Sequence, residues 1–235
     1  MKFRRNKSDQ AAAETDAGRA ADESDVEASS VGAASEAGPD AGSADRGYRT
    51  EGPWDITETT IDEDDAGKVD LGGLIVTGRP GLELRLQVSE AGEQIVAVLL
   101  VGPRGAVELR PFAAPRNSDI WDDIRKQIAA ETARRGGTAT EEDGAYGKEL
   151  HVVMPVTTPE GQSATQPSRV LGISGPRWLL RATFLGRPAM EPDQNGDLES
   201  ALRDVVVVRG NEPMAPGDPL PLVMPSNAQP MQPPS

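Results

Sequence analysis

The sequence predicts an α+β fold, a single domain in which an antiparallel sheet of about seven strands has two helices packed on one face. Several short segments, separated by turn residues, carry apolar side chains at every second position, as expected for strands with one buried face. The segment after Pro115 instead repeats its apolar residues at a spacing of about four, which predicts a helix. Only 37% of the 235 residues are apolar and 3% are aromatic, so the ordered part is shorter than the chain.

Three strands are predicted ahead of the helix, as an antiparallel meander. Residues 82–88 alternate leucine or valine with polar residues, and residues 94–101 are apolar on both faces, as in a central strand. A Gly-Pro-Arg-Gly turn leads into the third strand, where Val107 and Leu109 point inward. Pro111 cannot donate a ladder hydrogen bond, so it marks either the end of pairing or an unpaired edge.

The predicted helix has both start and stop signals. Asn117 or Ser118 is the expected N-cap, and the aspartates that follow place negative charge at the positive end of the helix dipole. Gly136, after two arginines, can adopt the left-handed conformation that ends many helices. The buried stripe is predicted to consist of Ile120, Trp121, Ile124, Ile128 and Thr132.

Further strands are predicted after the helix, at residues 138–142, 147–154, 169–174 and 177–185, the last two forming a hairpin around Gly175-Pro176. Leu150 and Met154 are expected to face the core, which places Glu149 and His151 on the opposite side. Residues 155–167 are rich in Thr, Ser, Gln, Pro and Gly and are predicted to be a mobile loop. A second helix is predicted to bury Leu198, Ala201, Leu202, Val205 and Val206.

Composition divides the chain into three parts. Residues 1–47 form an acidic low-complexity arm with almost no large apolar side chains, and this arm is predicted to be disordered. It is interpreted either as a solubilising or partner-recruiting tail or as a tolerated extension. Residues 48–225 are the predicted α+β domain, with LPLVMP lying extended on it, and residues 226–235 are a predicted disordered Pro-rich tail.

Charge and residue usage argue against several classes of function. A net charge of −14 repels phosphate backbones, so no direct nucleic-acid partner is expected. The chain has no cysteine and one histidine, so neither a disulfide framework nor a metal site is predicted. No apolar run is long enough for a membrane span and no signal-peptide pattern is present, so the predicted location is the cytoplasm.

Several segments together resemble one known family. They are KVDLGGLIV, the strand VELRPFAAPR followed by DIWDDIRKQI, ISGPRWLLRA, and VVVVRGNEPM leading to LPL. These segments are similar to those of the actinobacterial conserved proteins known as domain of unknown function 3710, over residues 48–225. The resemblance implies a conserved intracellular protein without an established activity, so it assigns no catalytic residue. The family's occurrence near dUTPase and an OB-fold protein implies a link to nucleic-acid metabolism.

No catalytic, cofactor-binding or metal-binding residue is predicted. His151 lies beside Glu149 on the strand face opposite the expected core, which favours an exposed structural histidine over a catalytic base. The acidic run at residues 62–65 lacks the spaced ligands and glycine of a calcium loop, and a solvated linker is the preferred interpretation.

One surface is a candidate binding site. If both helices cover one face of the sheet, the other face carries a row made of Arg85, Gln87, Glu108, Arg110, Glu149, His151 and Arg181. Charge pairing across strands on a solvated face is the preferred interpretation, and the alternative is that the arginines form a site for an acidic peptide or small anion. A second candidate surface is the hairpin tip at Arg177 and Trp178.

These observations predict a non-catalytic binding or adaptor module that recognises an unidentified protein partner. Two alternatives remain open. One is an enzyme with a polar pocket that the sequence does not reveal, and the other is a protein-binding accessory of nucleic-acid metabolism. Neither the partner nor the oligomeric state follows from the sequence.

Overall fold

The computed structural model describes residues 51–61, 67–89, 94–159 and 161–225. The predicted arm (1–47), the acidic run (62–65) and the predicted tail (226–235) lie outside the described residues. None of the described helices is long and apolar enough to cross a membrane. In chain order the elements are β1 (Trp54–Asp55), β2 (Lys68–Asp70), β3 (Leu74–Thr77), β4 (Glu83–Val88), β5 (Ile95–Gly102), β6 (Gly105–Ala113), α1 (Trp121–Arg134), β7 (Thr138–Gly144), β8 (Gly147–Thr157), β9 (Ser163–Gly175), β10 (Trp178–Gly186), α2 (Arg187–Met190), α3 (Asp197–Arg203) and β11 (Val206–Val207).

The main sheet has seven antiparallel strands in the order β4-β5-β6-β10-β9-β8-β7, which confirms the predicted fold class. The meander β4-β5-β6 is present as predicted, with Leu84 opposite Leu100 and Val98 opposite Leu109. After β6 the chain passes through α1 to the far edge of the sheet and returns by hairpins, so that β10 pairs with β6 in the middle.

Helix α1 begins later than predicted. Trp121 is its first residue, and Asp119 rather than Asn117 or Ser118 supports the first turn, because its Oδ1 accepts a hydrogen bond of 2.8 Å from the backbone N–H of Trp121. Gly136 has a φ of 78°, the left-handed conformation expected after the helix. Trp121 and Thr132 are buried, as the predicted stripe requires.

Two hydrophobic cores lie on opposite faces of the main sheet. The members of the large core include Trp178, Leu180, Phe184 and Leu202. The members of the small core include Trp121, Leu150, Val170 and Leu179. Leu179 and Leu180 are neighbours in β10 and point to opposite faces, so α1 packs on one face and α3 on the other.

This two-sided burial refines the predicted arrangement, which placed both helices on one face. The prediction assumed one apolar face for each strand. In β9 and β10, however, adjacent residues such as Val170 and Leu171 are both buried, so other elements must pack on each face of the sheet.

A second sheet, of four short strands in the order β1-β11-β3-β2, was not predicted. It includes Val206 and Val207, although Val206 was assigned to the second helix. That helix, α3, ends at Arg203. Valine is branched at Cβ, which restricts its side-chain rotamers in a helix and favours a strand. This explains why Val206 lies in β11 and not in the helix.

The predicted mobile loop at residues 155–167 is instead mostly a β-hairpin. Strand β8 continues to Thr157 and β9 starts at Ser163, with Pro155 opposite Thr165. The pairing of β7 with β8 ends at Val153, so Pro155 lies at an edge of the sheet on that side, which is the setting where strands tolerate proline.

The C-terminal segment lies extended on the domain, as predicted for LPLVMP. The backbone N–H of Leu220 donates to the carbonyl of Pro111 (3.0 Å), and the N–H of Val223 donates to the carbonyl of Leu71 (2.8 Å). The side chain of Leu220 is buried in the large core.

Candidate functional site

Three of the predicted site residues share one face of the main sheet, and we call Arg85, Arg110 and Arg181 the arginine patch. Arg85 lies on β4, which β5 separates from β6. Arg110 of β6 stands directly opposite Arg181 of β10 in the register of the sheet. The patch is on the same face as α1, but α1 packs against β7, β8 and β9, toward the other end of the sheet. The three side chains are 42%, 28% and 23% exposed, in order of residue number, and are therefore accessible to solvent.

The arginine patch is incompletely neutralised. Glu83 pairs with Arg85 at 2.7 Å, and Glu108 pairs with Arg110, also at 2.7 Å. The same Glu108 oxygen lies 4.0 Å from Arg181, so two guanidinium groups share one carboxylate. Three positive charges thus face two negative ones, and the patch carries one net positive charge in a protein whose net charge is −14.

The environment of Arg181 reflects this imbalance. Burial lowers the pKa of its guanidinium group, the positive charge of Arg110 lowers the pKa further, and Glu108 opposes both effects. The group remains protonated at neutral pH because arginine starts from so high a value. The guanidinium carbon lies 5.5 Å from the centre of the Phe112 ring, which adds a cation–π contact. An additional anion here would be attracted to two cations held close together.

Glu149 and His151, which were predicted in the same row as the arginines, lie on the opposite face of the sheet. Leu150 between them is part of the small core beneath α1, on the same face as the arginine patch. Strand alternation therefore turns Glu149 and His151 toward the α3 side. The prediction failed here because it assumed that Leu109 and Leu150 face the same core.

The hairpin tip does not expose both of its predicted residues. Arg177 is partly exposed, with a φ of 63° after Pro176, as position i+2 of a type II turn requires. Trp178 has 0% exposure and belongs to the large core, so its assignment to a partner surface was wrong. Its indole Nε1 donates a hydrogen bond of 2.7 Å to Oδ2 of Asp55. Strand alternation in β10 places Trp178 on the same face as Leu180 and Phe184, which also belong to the large core.

A buried ionic cluster lies on the α3 face and was missed by sequence reasoning. Arg169 is 2% exposed and lies between Glu149 and Glu199, each 5% exposed. It forms ion pairs with Glu199 and, at 3.5 Å, with Glu149, and its guanidinium carbon lies 4.4 Å from the centre of the Phe184 ring. Its Nε atom is buried and has no hydrogen-bond partner among the described residues. In the sequence, the only signal for this cluster is that the charged Arg169 directly precedes the apolar residues Val170 and Leu171.

One side of this cluster opens onto a concave site, which we call the cleft. It has a volume of about 290 Å³ and is lined by the β5–β6 turn, by α2 with the residues after it, and by the start of α3. Leu82 and three prolines supply apolar walls, and Glu199 is part of the lining. Its other charged lining residues are Arg104, Arg187, Glu191, Asp193 and Asp197.

Glu199 is an unusual carboxyl group in this setting. Burial raises its pKa above the ordinary value, while the positive charges of Arg169 and Arg203 oppose the rise and Glu149 adds to it. Within the described residues, no three or more His, Asp or Glu side chains are arranged to hold a metal ion. The lining of the cleft offers carboxylates and guanidinium groups, which are suited to recognition by charge and hydrogen bonding.

The fold and its surfaces define a sheet-based α+β domain with a solvent-accessible arginine patch on one face and a cleft beside a buried ionic cluster on the other. The chain belongs to the family described as protein of unknown function (DUF3710), whose family model matches residues 52–231. A comparison with curated proteins finds no match.

Proposed function

We propose that the protein is a non-catalytic binding module of the cytoplasm that recognises an acidic segment of a protein partner through the arginine patch. The observation that carries this proposal is the direct opposition of Arg110 and Arg181, with a single carboxylate, Glu108, shared between them. Like charges opposite each other across strands normally destabilise a sheet. An incoming carboxylate relieves that repulsion, so binding is favoured.

Geometry supports an acidic peptide as the ligand. The planar fork of arginine can bind a carboxylate through two parallel hydrogen bonds, which a lysine ammonium cannot do. Arg85 extends the patch across β4, so successive acidic side chains of an extended peptide have separate partners. A nucleic-acid duplex fits less well, because its uniform negative charge is repelled by the rest of a protein with a net charge of −14.

The test uses the full-length protein and a fluorescein-labelled peptide of alternating glutamate and serine, with fluorescence anisotropy as the readout. The double substitution Arg110→Gln with Arg181→Gln should weaken binding about tenfold or more, a loss of roughly 1.4 kcal/mol. The control, Arg134→Gln with Arg135→Gln, removes the same charge from the exposed end of α1 and should change affinity little.

Two results would contradict the proposal. One is equal weakening in both double variants, which would show that only net charge matters. The other is equal affinity for a serine peptide in which lysine replaces glutamate. Binding should also weaken as salt increases, because the patch is solvent-accessible. Circular dichroism of each variant confirms that a change in affinity is not a loss of fold.

A further inference from the structure

The cleft has the dimensions and lining of a site for a small polar ligand. Its volume of about 290 Å³ lies at the lower limit of small-molecule sites, roughly 300–1,000 Å³, so it has room for one side-chain-sized group. Leu82, Pro103 and Pro188 provide apolar walls against which a methylene chain can pack.

The side chains that line the cleft carry more negative than positive charge. Four carboxylates face two guanidinium groups. Arg187 is paired with Glu191 at 2.8 Å, and Glu199 is paired with Arg169 from the buried cluster. This leaves Asp193 and Asp197 against Arg104 alone, so the open part of the cleft carries net negative charge.

We infer that the cleft binds a cationic group, an ammonium or guanidinium, carried on an aliphatic stem. The stem lies along the leucine and proline walls, and the charged end lies toward Asp193 and Asp197. This inference concerns different residues from those of the arginine patch. It can therefore be tested independently of the acidic-peptide proposal.

A cationic group on an aliphatic stem can belong to a free alkyl cation or to an arginine within a peptide chain. Two probes distinguish these two ligands. Butylguanidinium represents the free cation, and N-acetylarginine methylamide represents the peptide-borne group. N-acetylcitrulline methylamide is the matched neutral ligand, because it keeps the length and the planar end group of arginine without the charge. Binding is measured by isothermal titration calorimetry on the full-length protein at low ionic strength, where exposed charges are least screened.

We expect saturable binding of a cationic probe, with the citrulline compound binding at least about tenfold more weakly. Tighter binding of the arginine compound identifies a peptide-borne group, and tighter binding of butylguanidinium identifies a free cation. Failure of both cations to bind at millimolar concentration, or equal affinity for the citrulline compound, would overturn the inference.

Three variants test the placement of the charged end. Asp193→Asn with Asp197→Asn should weaken binding of the cation about tenfold. Asp123→Asn with Asp143→Asn removes two exposed carboxylates elsewhere and should have little effect. Arg104→Gln removes the opposing cation from the lining and should strengthen binding. Equal weakening by both double variants, or weaker binding in Arg104→Gln, would show that the cation does not bind in the cleft.

Discussion

The indole Nε1 of Trp178 donates a hydrogen bond of 2.7 Å to Oδ2 of Asp55, and this bond joins the start of β10 to the short strand β1. Both residues are buried, with exposures of 0% and 4%. Oδ1 of Asp55 also accepts a bond of 2.9 Å from the backbone N–H of Thr57. A buried carboxylate is tolerated here because several donors surround it.

Asp55→Ala should destabilise the protein by about 2–3 kcal/mol, because it leaves the buried N–H groups of Trp178 and Thr57 without an acceptor. Urea unfolding measures the change. Asp70→Ala is the matched control, since Asp70 is exposed and accepts a backbone hydrogen bond from Gly72, and it should cost less than about 1 kcal/mol. Similar losses in the two variants would show that the contact with Trp178 contributes little.

Arg169→Met should destabilise the protein by about 3–5 kcal/mol at pH 7, because Glu149 and Glu199 would remain buried without their shared cation. Adding Glu149→Gln and Glu199→Gln should restore part of the loss. Arg134→Met, at an exposed arginine, should change stability by less than about 0.5 kcal/mol. A near-neutral Arg169→Met would mean that water reaches the cluster.

The difference in stability between the wild type and Glu199→Gln should depend on pH. Burial raises the pKa of Glu199 in the folded protein above its ordinary value of 4.5, against the opposing charges of Arg169 and Arg203. The folded state then binds the proton more tightly than the unfolded chain, so this group favours folding at low pH and loses that contribution as pH rises through its folded pKa.

The wild type should therefore gain stability relative to Glu199→Gln as the pH falls from 7 toward 4.5, the ordinary value of the group. Chemical unfolding of both proteins at several pH values checks this, with the exposed Glu131→Gln as the reference for removal of a carboxylate. A difference that moves in the opposite direction would show that Arg169 outweighs burial at this site.

Gly172→Ala should destabilise the protein by about 1–3 kcal/mol or more, because the added Cβ would overlap the indole ring of Trp121 where α1 packs on β9. Thermal unfolding checks the effect. Trp121→Leu makes room at the same place, so the double variant should lose less than the sum of the two single losses. Strict additivity would contradict direct contact between the two positions.

The sequence predicted those parts of the fold that depend on neighbours along the chain. The alternation of Leu84 and Leu86 defines β4, and the spacing of Ile124 and Ile128 defines most of α1. Single-face alternation is unreliable where both faces are buried, as at Leu179 and Leu180, since the pattern then loses its period of two.

The candidate surfaces were predicted only in part, for a related reason. The arginine patch follows from strand register, and Arg85, Arg110 and Arg181 share one face as predicted. The pairing of Arg169 with Glu199 joins residues that are distant in sequence and have no common periodic pattern. The cleft is likewise assembled from separate turns and helix ends, so its lining depends on tertiary structure.

The extended C-terminal segment sets a limit on folding during synthesis. Leu220 fills a position in the same core as Trp178, and its backbone bonds to Pro111 beside the middle of the sheet. These residues leave the ribosome after the other members of the large core, so the meander can form early while that core still lacks Leu220. We expect nascent chains arrested before Leu220 to remain sensitive to protease and to bind chaperones, and chains extended beyond the segment to become resistant.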